Sequence, residues 1–463
     1  MDLPIAFVER IQSEFGDDAQ AFLDAVGTDP SVSIRLNPSK LCDLKMADEV
    51  PWCPGAFYLK QRPVFTLDPL FNAGAYYVQE AGSMFSGYVF KQLKDESPMV
   101  VLDLCAAPGG KSTHLASVMN GDGLLVCNEV VKNRVAPLRE NITKWGFPNV
   151  VVTNAEASDF GNLEGCFDAV VIDAPCSGEG MFRKDDQAVT EWSEQNVDMC
   201  ASRQRDILKN VWPALKVGGL LIYSTCTYNR QENEENVRFI SESLGADILR
   251  VPCPPEWGVT ATEEGYHFYP YKSRGEGFFL AALRKTSDQE QCVLSKKDKK
   301  DKKAKNAKTP AVPSALKSWI LDSEKYDFSL SKEGDWLIAF PSAYADLLEA
   351  LRANCRVAQS GVAVATLKGK DFVPAPALAL SSALNKAVFS VVDLEWEDAM
   401  SFLKRENLVL TDTAPKGWVL LAYKNVPLGW TKNLGNRSNG AYPAEWHVRM
   451  AANRNDYTDL FDI

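Results

Sequence analysis

The segment VVLDLCAAPGGKS, residues 100–112, combines a short apolar strand, a loop of small residues and the start of a helix. Small residues allow a ligand to approach the backbone closely. The loop is not a P-loop, because Cys105 stands where that motif has its first glycine, and the three-glycine dinucleotide fingerprint is absent. The segment therefore predicts an α/β fold with a loop for a nucleoside ligand that has no pyrophosphate.

Downstream of Met99, short apolar segments alternate with helical segments, which predicts a parallel sheet with crossover helices. The predicted strands cover residues 100–104, 124–128, 150–153, 169–172 and 220–224. A helix over residues 207–215 leads into the last strand, and a final hairpin contains residues 267–270 and 277–283. In such a sheet, ligands bind outside the carboxyl ends of the strands.

Two cysteines follow predicted strands at that edge. Cys176 lies in DAPCSG, residues 173–178, and Cys226 lies in STCTY, residues 224–228. We expect both thiols, together with Asp173, to face one crevice. A thiol near a carboxylate suits attack on an electron-poor carbon such as C6 of cytosine, which would activate C5 to accept a methyl group. The residues alone do not rank Cys226 above Cys176 as the nucleophile.

Glu129 follows the second predicted strand, where a carboxylate can accept hydrogen bonds from the hydroxyl groups of a ribose. Together with the small-residue loop, this position favours S-adenosylmethionine, which carries an adenosine, a sulfonium and an amino-acid tail. The alternative is a tight turn followed by an acidic surface residue.

Composition limits the class of protein. The 463 residues suffice for two to four domains, and the net charge of −11 argues against a globally basic nucleic-acid surface, although a basic groove would be enough. Eleven cysteines without a regular framework indicate reduced thiols and a cytoplasmic protein. No run of eighteen apolar residues and no secretory leader are visible, so we expect no membrane association. We expect no metal, because the three histidines lie far apart and no C-x-x-C occurs.

The chain divides into five predicted regions. They are an N-terminal α/β segment (1–95), a catalytic domain (96–285), a lysine-rich linker (286–313), a middle domain (314–395) and a β-rich terminal unit (396–463). Eight lysines between residues 296 and 308 are typical of a solvated spacer, and a tether for RNA phosphates is the alternative.

Taken together, these motifs resemble the Sun-type (Nol1/Nop-like) RNA cytosine-5 methyltransferases. The matching segments are DLCAAPGGK (103–111), DAPCSG (173–178), STCTY (224–228) and GEGFF (275–279). Further segments resemble the RsmF-like branch, which methylates 16S ribosomal RNA in bacteria: YVQEA (77–81), GEGMFRK (178–184), LGW (428–430) and YP (442–443).

The resemblance implies a Rossmann-like methyltransferase domain that uses S-adenosylmethionine, a small N-terminal α/β segment and a PUA-like RNA-binding region at the C-terminus. It implies Cys226 as the nucleophile, Cys176 as the residue that assists release, and Asp173 as a contact to both cytosine and cofactor. It assigns the methionine end of the cofactor to Cys105, Ala106, Ala107, Pro108, Gly109, Gly110 and Lys111. Glu129 would bind the ribose. Glu156 is the candidate for the adenine contact, where the family usually has an Asp.

The expected partner is RNA. Arg35, Asn37, Arg183 and Lys184 are candidate RNA contacts, and a solvated charged turn is the alternative for the last two. The leading hypothesis is a cytosine-C5 methyltransferase of 16S ribosomal RNA, acting as a monomer. A transfer-RNA methyltransferase and a mainly non-catalytic ribosome-assembly factor are the competing hypotheses.

Overall fold

The computed structural model describes residues 2–42, 44–287, 312–331, 335–368, 371–410 and 414–461. The predicted lysine-rich linker lies almost entirely outside the described residues, which end at 287 and resume at 312.

The described residues form helices α1 to α14 and strands β1 to β21. The helices are, in order, Ile5–Phe15, Ala19–Val26, Pro69–Asn72, Phe85–Leu93, Gly110–Met119, Val135–Trp145, Ala157–Gly161, Asp186–Glu191, Glu194–Val211, Glu234–Phe239, Ser314–Lys317, Ala345–Asn354, Pro376–Leu380 and Trp396–Leu403. The strands are, in order, Val32–Leu36, Ala56–Leu59, Tyr76–Val78, Val100–Asp103, Leu124–Asn128, Val150–Asn154, Phe167–Asp173, Leu215–Thr225, Ala246–Leu249, Thr260–Ala261, Tyr266–Phe268, Phe278–Lys285, Tyr326–Leu330, Trp336–Pro341, Arg356–Ser360, Val362–Lys368, Asp371–Pro374, Ser390–Leu394, Gly417–Tyr423, Val426–Asn433 and Ser438–Gly440.

The central sheet confirms the predicted Rossmann-like domain. Its strand order is β10-β11-β12-β8-β7-β4-β5-β6-β15, and β9 also pairs with β12. The pairs β7–β8, β4–β7, β4–β5 and β5–β6 are parallel, whereas β12 runs antiparallel to β8 and completes the predicted hairpin with β11. The strand order reverses at β4, and the crevice beyond such a reversal is where α/β sheets bind ligands.

Both faces of this sheet are covered, which explains why its strands are almost continuously apolar. One face packs against α4, α5 and α6 and carries Val101, Leu125, Val152, Val171 and Ile222. The other face packs against α7, α9 and α12 and carries Leu102, Val126, Val151, Val170 and Leu221.

The predicted helix over residues 207–215 is wrong in its bounds. Helix α9 begins at Glu194, where Ser193 caps it by accepting a hydrogen bond from the backbone of Asn196 at 3.1 Å. It ends at Val211, two residues before Pro213, which has no backbone N–H to continue the helical hydrogen-bond pattern.

The N-terminal segment and the terminal unit share a hydrophobic core. Strands β1, β2 and β3 form a three-stranded antiparallel sheet, and β18 to β21 form a four-stranded sheet. Trp396 Nε1 donates a hydrogen bond to Leu67 O at 2.9 Å, and the rings of Tyr76 and Phe461 lie 5.3 Å apart. The two ends of the chain therefore pack against each other.

The predicted middle domain (314–395) contributes strands to two different sheets. Its strand β15 pairs antiparallel with β6 and extends the catalytic sheet, while β13, β14, β16 and β17 form a second small sheet. The terminal unit also begins before residue 396, because Ser390–Leu394 pairs in parallel with Gly417–Tyr423. None of the helices in the described part of the chain combines the length and apolar character needed to cross a bilayer.

Candidate active site

The two cysteines singled out from the sequence lie side by side. Strands β7 and β8 pair in parallel, with Asp173 opposite Ser224, so the loops that follow them leave the same edge of the sheet. The Sγ atoms of Cys176 and Cys226 are 3.2 Å apart, and the backbone N–H of Cys226 donates to the Cys176 sulfur at 3.4 Å. The two thiols therefore lie together at this edge of the sheet, and their roles stay predictions.

The contact between the two thiols affects the ionisation of Cys176. The hydrogen bond to Cys226, and then burial, raise the pKa of the Cys176 thiol well above its usual value. Cys176 therefore keeps its proton at neutral pH and can donate it toward the Cys226 sulfur, because hydrogen bonding to the neutral form disfavours ionisation.

A buried carboxylate, Glu232, ties the two cysteine loops together. It accepts hydrogen bonds from the backbone of Ser177 at 3.0 Å, from Gln204 Nε2 at 2.6 Å and from Asn229 Nδ2 at 2.7 Å. Burial raises its pKa. Because buried polar groups are costly to leave unpaired, this hub fixes the loop of Cys176 against the loop of Cys226.

A second buried carboxylate, Glu179, repeats this arrangement. It accepts from Trp192 Nε1 at 2.9 Å and from the backbone of Tyr228 at 2.9 Å, and it forms an ion pair with Arg10 at 2.8 Å. Burial opposes its ionisation most strongly, but Arg10 and the hydrogen bonds that the carboxylate accepts together outweigh burial and lower the pKa of Glu179. Helix α1, which carries Arg10, is thereby joined to the catalytic loops.

Gly180 brings these loops into direct backbone contact. Its N–H donates to Cys226 O at 2.9 Å. A Cβ atom at this position would lie 2.7 Å from Gly277 O and 3.0 Å from Cys226 O. The close approach therefore requires glycine.

Asp173 connects the catalytic strand with the predicted cofactor loop. One carboxylate oxygen lies 2.8 Å from Lys111 Nζ, and the other accepts from Ser224 Oγ at 2.9 Å. Burial opposes the charged form of Lys111 most strongly, but Asp173 and the other acidic groups nearby together outweigh burial and raise the pKa of Lys111, so the ammonium stays charged. Lys111 also lies 5.0 Å from the ring centre of Phe278.

The cofactor loop leaves β4 and enters α5 as the sequence predicts. Arg134, in the turn before α6, donates to Ala107 O at 2.7 Å, and Asn141, on α6, donates to Pro108 O at 2.8 Å. These two hydrogen bonds fix the backbone of the loop. Gly109 has φ = +116°, a value that favours glycine, and α5 starts at the next residue. Burial raises the pKa of Cys105, so this cysteine is present as a thiol.

Asp103 is a functional candidate that the sequence reasoning missed. It ends β4, is 1% exposed, and one of its oxygens accepts from Ser112 Oγ at 2.6 Å. The other oxygen is buried and has no hydrogen-bond partner among the described residues. Burial raises its pKa to about 7. Its position in the sequence could have indicated this role, because Asp103, like Asp173, is the last residue of a strand and directly precedes a loop.

The residues of this crevice fit S-adenosylmethionine. The unpaired Asp103 oxygen suits a cationic amino group, and Lys111 suits a carboxylate. Glu129 is buried just beyond β5, where its carboxylate accepts from the backbone of Val131 at 2.7 Å and lies 3.5 Å from Arg134.

Glu156 is exposed and caps α7. Its carboxylate accepts from the backbone of Asp159, and Asp159 accepts from the Glu156 backbone at 3.0 Å. The contact between Glu156 and adenine stays a prediction.

Two of the four predicted RNA contacts are buried. Arg35 and Asn37 are 2% and 0% exposed, and Asn37 donates to Gly74 O and Trp145 O inside the protein. The reason is that β1 is covered on both sides, which the sequence of a short strand does not reveal.

Arg183 and Lys184 also have partners within the protein. The Arg183 guanidinium donates to Gly275 O at 2.8 Å and Asp29 O at 2.8 Å, and Lys184 pairs with Glu276. Arg183 therefore joins the loop after Cys176 to the N-terminal helices, and Lys184 is the more accessible of the two, with a side chain 35% exposed.

Comparison with known families identifies three regions of the chain. Residues 90–284 match the family described as 16S rRNA methyltransferase RsmB/F. Residues 3–81 match the N-terminal domain of 16S rRNA methyltransferase RsmF, and residues 389–448 match the methyltransferase RsmF PUA domain. The PUA-like region predicted for the C-terminus is therefore confirmed.

Curated relatives align with nearly the full length of the chain. The ribosomal RNA small subunit methyltransferase F of Cronobacter sakazakii is 32% identical over 96% of both chains. That of Aeromonas salmonicida is 33% identical and covers 89% of this chain and 90% of its own. A methyltransferase homologue from Pyrococcus horikoshii, of known structure, is 27% identical with a TM-score of 0.53 and covers 60% of this chain and 94% of its own. The chain belongs to the family of ribosomal RNA small subunit methyltransferase F, whose cofactor is S-adenosylmethionine.

Proposed function

We propose that this protein methylates C5 of a cytosine in 16S ribosomal RNA, with Cys226 as the nucleophile. The observation that carries the proposal is the Cys176–Cys226 pair, 3.2 Å apart at the carboxyl ends of β7 and β8 and next to the cofactor loop. The names of the relatives support ribosomal RNA as the substrate, and the residues of the crevice support the reaction.

The first step is addition of the Cys226 thiolate to C6 of the cytosine. A sulfur–carbon bond forms, the C5–C6 double bond is lost, and C5 becomes electron-rich. S-adenosylmethionine, when bound, would supply an electrophilic methyl group to C5, with S-adenosylhomocysteine as the leaving thioether. A base then removes the C5 proton, the C5–C6 double bond returns, and the Cys226 sulfur–carbon bond breaks.

Cys176 would act in the last of these events. Its sulfur lies 3.2 Å from the sulfur that must leave, and its raised pKa keeps a proton available there. Donation of this hydrogen bond to the departing thiolate of Cys226 stabilises the negative charge that forms on it. We therefore assign release of the product to Cys176.

Asp173 would hold the base, and the loop after β4 would hold the cofactor. The Asp173 carboxylate can accept from the exocyclic amine of cytosine while Lys111 stays paired with it. The backbone from Cys105 to Gly110 and the Lys111 side chain would bind the methionine end. Glu129 would bind the ribose, and Glu156 would contact the adenine.

Several properties support the setting of this reaction. The PUA region offers a way for an acidic chain to bind RNA, with Lys184 as a further contact near the active site. The ten cysteines that the described residues contain are free thiols, which favours a reducing cytoplasm. One chain carries both thiols and the cofactor loop, so we propose that it acts as a monomer.

The test is trapping of the covalent intermediate on unmethylated 16S ribosomal RNA or small subunits. Cys176→Ala is expected to accumulate a protein–RNA adduct that migrates slowly on a denaturing gel, because attack continues while release fails. Cys226→Ala is expected to give neither adduct nor product. Cys42→Ala, which changes an exposed cysteine of the N-terminal segment, is the control and is expected to behave as wild type.

Methylation by Cys226→Ala would contradict the assignment of the nucleophile. Absence of an adduct with Cys176→Ala, while wild type is active in parallel, would remove the release role. Adduct formation with transfer RNA alone would support the proposed reaction and contradict 16S ribosomal RNA as the substrate.

A further inference from the structure

A cavity of about 670 Å³ lies away from the two thiols, between helices α4 and α5. Its lining includes Arg35 from β1, Cys53, Lys91 from α4 and His114 from α5. The catalytic cysteines and Asp173 do not contribute to it. Its volume is in the range of cavities that bind small organic molecules.

Arg35 is a buried cation that has no counter-ion in the described part of the chain. It is 2% exposed, and its guanidinium donates to Gln79 Oε1 at 2.9 Å, to Thr113 Oγ1 at 2.6 Å and to Gly110 O at 3.2 Å, which are all neutral acceptors. Its Nη1 atom is buried and has no partner within the described residues. A buried charge is costly unless it is paired, so this position favours an anion.

His114 provides a second unpaired polar group in the same lining. Its Nε2 lies 3.5 Å from Cys53 Sγ, while its Nδ1 is buried without a partner among the residues described. Burial, and then the charge of Arg35, lower the pKa of His114 well below its usual value, so the imidazole is neutral. Gly87 on α4 makes room for this ring, since a Cβ there would lie 2.2 Å from it.

Aromatic rings form the apolar wall of the cavity. Trp52 and Trp257 have ring centres 5.9 Å apart, and Tyr88 lies 5.2 Å from Trp257. The indole N–H of Trp52 donates to Ala81 O, and the hydroxyl of Tyr88 donates to Pro252 O, both at 2.7 Å. These side chains therefore offer carbon surface to a ligand, which suits a flat apolar body.

We propose that this cavity is a binding site for a small aromatic carboxylate. The carboxylate pairs with Arg35 and accepts from His114, and the aromatic body packs against Trp52 and Trp257. Lys91, exposed in the lining, adds positive charge at the entrance. The inference does not rest on the proposed methylation, because neither the thiols nor the cofactor loop contributes to the cavity.

The test is calorimetric titration of the full chain with 2-naphthoate, in the absence of RNA and cofactor. We expect saturable one-to-one binding with a Kd of about 1 mM or tighter, as is reasonable for a ligand of this size. The neutral analogue 2-naphthamide has the same shape and lacks the charge. We expect it to bind about tenfold more weakly, because a charge-assisted hydrogen bond is lost.

Two variants of the lining, each with a control variant outside it, test where the ligand binds and leave the buried Arg35 unchanged. Val118→Trp places a large ring in the lining and is expected to abolish binding, whereas Val391→Trp, at a 48% exposed valine of the terminal sheet, is expected to have no effect. Lys91→Ala is expected to weaken 2-naphthoate about threefold. Lys94→Ala, which removes the same charge three residues further along and outside the lining, is expected to leave binding unchanged.

Three results would overturn the proposal, provided that thermal unfolding shows each variant to be folded. They are the absence of saturable binding of 2-naphthoate, equal affinity for 2-naphthamide, and unchanged binding by Val118→Trp. Tighter binding of cytidine 5′-monophosphate than of 2-naphthoate would also overturn it, since the cavity would then select a nucleotide.

Discussion

The substitution Gly180→Ala tests how accurately the two cysteine loops must be placed. The added Cβ would lie 2.7 Å from Gly277 O and 3.0 Å from Cys226 O, whereas an ordinary contact begins at 3.4 Å. The backbone must therefore move by about 0.7 Å and 0.4 Å at these two points, and one of them is the carbonyl of Cys226, the proposed nucleophile. A displacement of about 1 Å can cost a hundredfold in rate, so we expect the methylation rate to fall by about ten- to a hundredfold.

The assay is single-turnover methylation with saturating RNA and S-adenosylmethionine, so that binding does not limit the rate. Gly440→Ala adds the same methyl group where the nearest atom is 3.5 Å away, and we expect it to retain the wild-type rate. Thermal unfolding of both variants separates misplacement of the loop from loss of the fold. A Gly180→Ala enzyme with the wild-type rate would refute the claim that the contact between these loops positions Cys226.

Two further predictions concern buried carboxylates. The pKa of Asp103 is raised to about 7, so this carboxyl group is neutral below that pH and charged above it. Its ionised fraction therefore rises from about 10% at pH 6 to about 90% at pH 8. The affinity for S-adenosylmethionine should increase by up to about ninefold over this range. Calorimetry over the same range, pH 6–8, should show a flat profile for Asp103→Asn. A profile as steep as that of the wild type in this variant would contradict the role of Asp103. Glu232→Ala should lower the free energy of unfolding by about 3 kcal/mol or more, because three buried donors lose their acceptor. The control Glu191→Ala, at an exposed position, should change the free energy of unfolding by less than about 0.5 kcal/mol. Chemical denaturation measures both values.

The sequence was sufficient to predict the central strands of the catalytic sheet, because these strands are short, apolar and separated by helices. The predicted strand at residues 124–128 matches the structure in its bounds, and the others differ at their ends. The parallel order of these strands then places Cys176 beside Cys226 without further information, since both follow neighbouring strands.

The sequence was insufficient wherever burial depends on distant segments. Arg35 and Asn37 have the composition of RNA contacts, but packing of β1 against the rest of the protein buries them. Strand β15 lies about 200 residues from its partner β6, and no local pattern predicts that it joins the catalytic sheet. Glu232 is likewise an ordinary acidic residue in the sequence, and only the fold makes it a buried hub.

The most direct test of the central claim is bisulfite sequencing of RNA from cells with and without this gene. We predict that at least one cytosine of 16S ribosomal RNA is protected in wild-type cells and loses protection on deletion. Protection should return with the wild-type gene and not with Cys226→Ala. Unchanged protection of every 16S cytosine after deletion would contradict the proposed function, and a change confined to transfer RNA would contradict the substrate.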